Sequence, residues 1–193
     1  MTEQAWEDKL GISTGGRDAA RADAYRYPYE PTPYCVLERL ADAGYLTGEN
    51  VLMDFGCGKG RVGIFLNHIL GCRTIGVEYD REIWKQAVEN GRAYSGVEFQ
   101  CCRAETSTIA DADCFYFFNP FSLELLRSVY GRILESWYEA PRPMRLIFYY
   151  PSDAYRSWLM TEPTLSFLTE IDCRDLFPGN DSRENVLIFE ICS

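Results

Sequence analysis

Ten residues, Asp54 to Gly63, read DFGCGKGRVG: an acid and then glycines at 56, 58, 60 and 63, directly behind the apolar run Val51-Leu52-Met53. A strand that ends in such a loop and runs on into a helix turns backbone N–H groups and a helix N-terminus toward one ligand, and glycine lets the main chain come close to it. Glu78 stands at the tip of the next apolar run, RTIGVEY, where a carboxylate can accept hydrogen bonds from both hydroxyls of a ribose. The chemistry on offer is the binding of a nucleotide-like ligand at a strand–loop–helix unit.

The elements that must position these residues alternate. VLMDF is a short buried strand, RVGIFLNHIL a helix, RTIGVEY a second strand, and Asp80 can cap the helix DREIWKQAVENG, which Gly91 can stop. VEFQC, CFYFF, MRLIFYY, LSFLTEIDC and NVLIFEIC read as further strands, with helices over 122–138 and 153–160, and FPGNDSRE reads as a hairpin connection. This pattern predicts an α/β fold: a Rossmann-like, seven-stranded, mostly parallel sheet with helices on both faces and the last strand antiparallel. Residues 1–31 read as an extended N-terminal arm and possible lid, with Tyr25, Tyr27 and Tyr29 at alternate positions. Residues 32–193 read as a single domain, opened by a helix with Thr32 as N-cap, Pro33 at its first position and an end near Gly44.

Composition narrows the partners. With 193 residues, 47% of them hydrophobic, the chain can bury a core. A formal charge of -10 disfavours a nucleic-acid partner and suits a protein or small molecule. The eight cysteines form no CxxC pair, and Cys101-Cys102 lack the histidine and cysteine neighbours of a ligand set, so no metal is expected and the thiols fit a reduced, cytoplasmic setting. No apolar run approaches the ~18 residues of a membrane span. The one histidine, His68, falls inside a helix past the glycine loop and reads as structural or solvated. Nothing in the sequence specifies an oligomeric state.

Two registers fit the glycines. The dinucleotide fingerprint GxGxxG can be laid on Gly58, Gly60 and Gly63, but its first glycine then stands three residues beyond Phe55 rather than at the strand end. The other register, Asp54-x-Gly56-x-Gly58-x-Gly60, also uses the acid, and it resembles motif I of the class I methyltransferases that depend on S-adenosyl-L-methionine (SAM). The resemblance covers roughly residues 29–192. It implies that Asp54 helps hold the methionine amino end, that Gly56, Cys57, Gly58 and Gly60 pass beneath the cofactor, and that Glu78 and Tyr79 border the ribose. Many relatives place an acid and then alanine after the third strand; here the pair is Arg103-Ala104 with Glu105 next, which leaves Ala104 and Glu105 as the adenine contacts.

Asn119-Pro120-Phe121 resembles the [DN]PP[YF] loop of amino-group methyltransferases, without its second proline. That likeness implies that Asn119 and Pro120 offer oxygens to the hydrogens of an amine and that the ring of Phe121 packs on the acceptor; a plain strand-ending turn explains the same residues. Thr32, in the segment Tyr29-Glu30-Pro31-Thr32-Pro33, is similar to the PTP stretch of some protein-lysine methyltransferases, which would set it near the cofactor carboxylate. The expectation is SAM-dependent methyl transfer, leaning to N-methylation of a protein or small-molecule amine. An NAD(P)-dependent oxidoreductase and a catalytically silent SAM-binding scaffold stand as alternatives.

Overall fold

Strand residues alternate between two buried layers. In β1 (Val51–Phe55), Val51, Met53 and Phe55 enter one apolar layer and Leu52 the other. The same alternation runs through β4 (Cys114–Phe117) and β5 (Arg145–Tyr149), so apart from Asp54 and Arg145 these central strands are apolar, as a sheet covered on both faces requires. In the computed structural model, which describes residues 1–16 and 29–192, they join β2 (Arg73–Glu78), β3 (Val97–Cys101), β6 (Leu165–Asp172) and β7 (Asn185–Ile191). The sheet order is β3-β2-β1-β4-β5-β7-β6, parallel except at β7, which is antiparallel to both β5 and β6. The expected Rossmann-like sheet, with its antiparallel last strand, is the one found.

Helices α1 (Glu3–Leu10), α2 (Tyr34–Asp42) and α3 (Arg61–Leu70) cover one face; α5 (Leu123–Glu139) and α6 (Asp153–Leu159) cover the other. Helix α4 (Arg81–Gly91) lies against β2 and β3. Its N-cap is Asp80, whose carboxylate accepts from the N–H groups of Glu82 and Ile83.

The N-terminal reading needs correction. Residues 3–10, expected within an extended arm, form helix α1, capped by the Thr2 hydroxyl and stopped by Gly11 at φ +67°. Trp6, Leu10 and Ile12 are buried in the same layer as Tyr34 and Phe65, which makes this stretch part of the core. Thr32 is no helix cap either: Pro33 holds the N-cap position of α2, and the Thr32 hydroxyl shares a hydrogen bond of 2.9 Å with the Tyr116 hydroxyl. Tyr25 and Tyr27 lie outside the described residues.

Candidate active site

The chain leaves β1 toward α3 on one face and β4 toward α5 on the other, so the carboxyl ends of these neighbouring strands part and open a crevice. A cleft of about 930 Å³ lies there. Gly56 marks its floor, with φ +76° and a backbone so close to the β4 loop that a Cβ would come within 2.6 Å of the Pro120 Cβ. Any side chain at 56 would force the two loops apart.

Asp54 ends up almost fully buried, bordering the cleft, and its Oδ2 has no hydrogen-bond partner. Burial first, and repulsion from Glu78 second, push its carboxyl up to about 8. A buried carboxylate oxygen without a partner is costly, and a cationic donor in the cleft would relieve that cost. Glu78 also borders the cleft, and burial raises its carboxyl above the usual range. Its two oxygens accept from the N–H groups of Gly58 (3.1 Å) and Asp80 (2.8 Å), which fixes the carboxylate and leaves lone pairs for hydroxyls of a ligand. Further along, Ala104 begins a single 3-10 turn beside Ile83 and Cys102, with Tyr79 and Glu105 on the same wall. Arg103 is paired with Glu105 at 2.8 Å and stands 5.9 Å from the Tyr79 ring centre, closing this slot from outside. The unpartnered Asp54 carboxylate, the fixed Glu78 carboxylate and the stretch of wall at Ile83, Cys102 and Ala104 all border this one cleft.

Of the residues singled out in the sequence, Thr32, Asp54, Gly56, Cys57, Glu78 and Tyr79 border the cleft, as do Ala104, Glu105, Asn119, Pro120 and Phe121. Gly58 and Gly60 do not. A Cβ on Gly58 would meet the Tyr29 ring at 2.1 Å, and one on Gly60 would meet the Phe99 ring at 2.6 Å. These two glycines admit protein side chains rather than cofactor, and Gly63 likewise packs on Thr74. The dinucleotide register therefore has no glycine at the cleft.

The NPF loop differs from expectation in two respects. Phe121 is 5% exposed, with its ring set edge-on to Phe117 inside the core, so the less buried aromatic side chains at this end of the cleft are Phe118 and Tyr150. Asn119, at φ +40°, spends its carboxamide on the neighbouring loop: Nδ2 donates to the Tyr150 carbonyl at 2.5 Å and Oδ1 accepts from the Ser152 N–H at 2.9 Å. The side chain thus clamps the ends of β4 and β5 together. Asn119→Ala is expected to destabilise the fold by about 1–3 kcal/mol, because it strands two half-buried backbone partners. Unchanged urea unfolding in that variant would remove the clamp.

Several cleft residues carried no signal in the sequence. Arg61, the first residue of α3, is 4% exposed and bridges to α1: Nη2 pairs with Glu7 at 3.2 Å, and Nη1 pairs with Glu3 and also donates to the Thr32 carbonyl at 3.0 Å. Where β5 meets β7, the Tyr149 hydroxyl donates to Glu184 at 2.7 Å, while the Tyr150 hydroxyl donates to Asp181 and accepts from Arg183 at 2.6 Å. These groups meet only through the β5–β7 pairing. Among the described residues no group of acidic, histidine and cysteine side chains is arranged to hold a metal, and no helix is long and apolar enough to cross a membrane.

Comparison with known proteins agrees with this geometry. Residues 52–144 match the family model described as a methyltransferase domain. No curated protein matches the chain in sequence. Among solved structures, an RNA methyltransferase from Salinibacter ruber in complex with S-adenosyl-L-homocysteine superposes with a TM-score of 0.56 at 23% identity, over 84% of this chain and 94% of that one. A TehB-like SAM-dependent methyltransferase from Corynebacterium glutamicum gives 0.60 at 18% identity over 98% and 95%. The N-methyltransferase NodS from Bradyrhizobium japonicum gives 0.58 at 12% over 82% and 92%. At these identities the likeness is one of fold, and with RNA methyltransferases among the neighbours the expectation against nucleic acid rests on charge alone. With the domain match and the matching fold together, residues 52–144 carry a SAM-dependent methyltransferase domain of class I.

Proposed function

We propose that the acceptor is an amine, carried by a protein or a small molecule. The observation that carries this reading is the state of the cations at the cleft. Among the described residues, the three arginines that border it are each already engaged: Arg61 by Glu3 and Glu7, Arg103 by Glu105, and Arg183 by Asp181. Glu30 and Glu184 add negative charge near the acceptor end, where Phe118, Tyr149 and Tyr150 supply rings. Such a wall attracts a cationic amine, through carboxylates and ring faces, and repels phosphate.

When bound, the cofactor supplies a sulfonium methyl that a nucleophile displaces in line. Of the residues that border the cleft, Asp54 would hold the cofactor ammonium, Glu78 its ribose hydroxyls and Thr32 its carboxylate. On the acceptor side, Phe118 and Tyr150 exclude water, which favours the neutral, nucleophilic amine over its ammonium. The backbone oxygens of Asn119 and Pro120, held by the carboxamide clamp, orient the remaining N–H groups so that the lone pair faces the methyl. Glu184, with Oε2 engaged by Tyr149, is the carboxylate best placed to draw the amine in and to take its proton. Incubation of cell-extract fractions with methyl-labelled SAM and the enzyme is expected to label a protein or a small amine. Label that disappears on ribonuclease treatment would overturn the amine reading in favour of RNA.

A further inference from the structure

We propose that Tyr29 is a cofactor-contacting residue: its ring, rather than the main chain of Gly58, forms the cleft wall beside the glycine loop, and helix α1 holds it there. The first support is steric. Gly58, at φ +54°, has no side chain, and a Cβ there would fall 2.1 Å from Tyr29 Cε2 and 2.5 Å from Cδ2, so the ring lies flush on that glycine. Tyr29 borders the cleft and Gly58 does not, which puts the ring between the loop and the space the cofactor needs.

The second support is how firmly the ring is fixed. Its hydroxyl donates to the Thr14 carbonyl. Thr14 is fully buried; its N–H donates to Glu7 at 2.6 Å, and its hydroxyl donates to Glu7 while accepting from Arg61 Nε at 2.6 Å. Arg61 in turn stands 4.2 Å from the Tyr34 ring centre and bonds the Thr32 carbonyl, three residues along from Tyr29. Lys59, inside the glycine loop, donates to the Gly15 carbonyl at 2.8 Å and sits 5.1 Å from the Tyr29 ring centre. A tyrosine anchored through its hydroxyl to a buried ion pair is a fixed wall, and an aromatic wall suits a ligand that carries a sulfonium charge. The segment about residue 14, α1 and the start of α3 therefore act together on the cofactor.

The inference rests on SAM as cofactor and not on the identity of the acceptor. Titration calorimetry with SAM is expected to show Tyr29→Leu weakened by about 10-fold, a cation–ring contact and its packing lost together, and Tyr29→Phe by no more than about 3-fold. Should Tyr29→Leu fail to fold, ring-labelled tyrosine resonances of the wild-type protein give the same answer, with the Tyr29 signal identified by its absence in Tyr29→Phe. That signal is expected to shift as SAM is added. Tyr29→Leu binding SAM like the wild type, or a Tyr29 resonance that stays put while SAM binds, would overturn the inference and leave the cofactor assignment standing. A wild-type protein that binds no SAM would overturn the cofactor assignment itself.

Discussion

Asp54→Asn is expected to bind SAM roughly 10- to 150-fold more weakly, as the loss of one charge-assisted hydrogen bond worth about 1.5–3 kcal/mol requires. The same substitution is expected to make the ligand-free protein more stable at neutral pH. The sign follows from the direction of the shift. In the unfolded chain the Asp54 carboxyl ionises near the ordinary value of about 4, whereas in the fold burial and Glu78 hold its proton up to about 8. Between those values the unfolded state gains by ionising while the folded state does not, so this residue makes stability fall as pH rises through that window. Asparagine removes the slope. Cofactor binding has the complementary signature: the ammonium needs the carboxylate, so at pH 7 binding releases about one proton, and affinity climbs toward pH 8. Calorimetry in buffers of different ionisation enthalpy reads that proton directly. Binding without proton release, or equal SAM affinity in Asp54→Asn, would take Asp54 out of the ammonium site.

The second large effect belongs to Arg61. Arg61→Ala leaves Glu7, at 11% side-chain exposure, without its cation, and the loss of one partner from a buried pair is expected to cost about 3–5 kcal/mol. Glu3→Ala breaks the other pair of the same guanidinium, but Glu3 is 53% exposed, and a change of no more than about 1 kcal/mol is expected there. Denaturant midpoints of the two variants test the contrast; equal midpoints would mean that the cluster linking α1 to α3 contributes nothing to the fold.

Local pattern was enough for the sheet. Seven apolar runs became seven strands because each strand is covered on both faces or lies beside one that is, and Asp54 and Glu78 reach the cleft for the same local reason: both acids stand at strand ends. What escaped depends on partners far along the chain. Helix α1 shows only Trp6 and Leu10 as apolar positions four apart, and its stability comes from Phe65 and Tyr34, more than twenty residues away. Arg61 reads as a solvated charge until α1 brings Glu7 to it. The acceptor wall escaped as well, because Phe118, Tyr150 and Glu184 share no spacing and meet only through strand pairing. Asn119 is different in kind: it borders the cleft, but its carboxamide is turned to the neighbouring strand end.

The position of β7 has a bearing on the order in which the molecule can be completed. β7 lies between β5 and β6, so β6 is made before the one strand that pairs with it among the described residues. Strands β1 to β5 need nothing beyond residue 149 for their mutual pairing, and they carry Asp54, Glu78 and the turn at Ala104. Tyr149 and Tyr150 find Glu184, Asp181 and Arg183 only after β7 has entered against β5. During synthesis the part of the cleft around Asp54, Glu78 and Ala104 can thus take shape while the wall that joins Tyr149 and Tyr150 to Glu184, Asp181 and Arg183 is still incomplete.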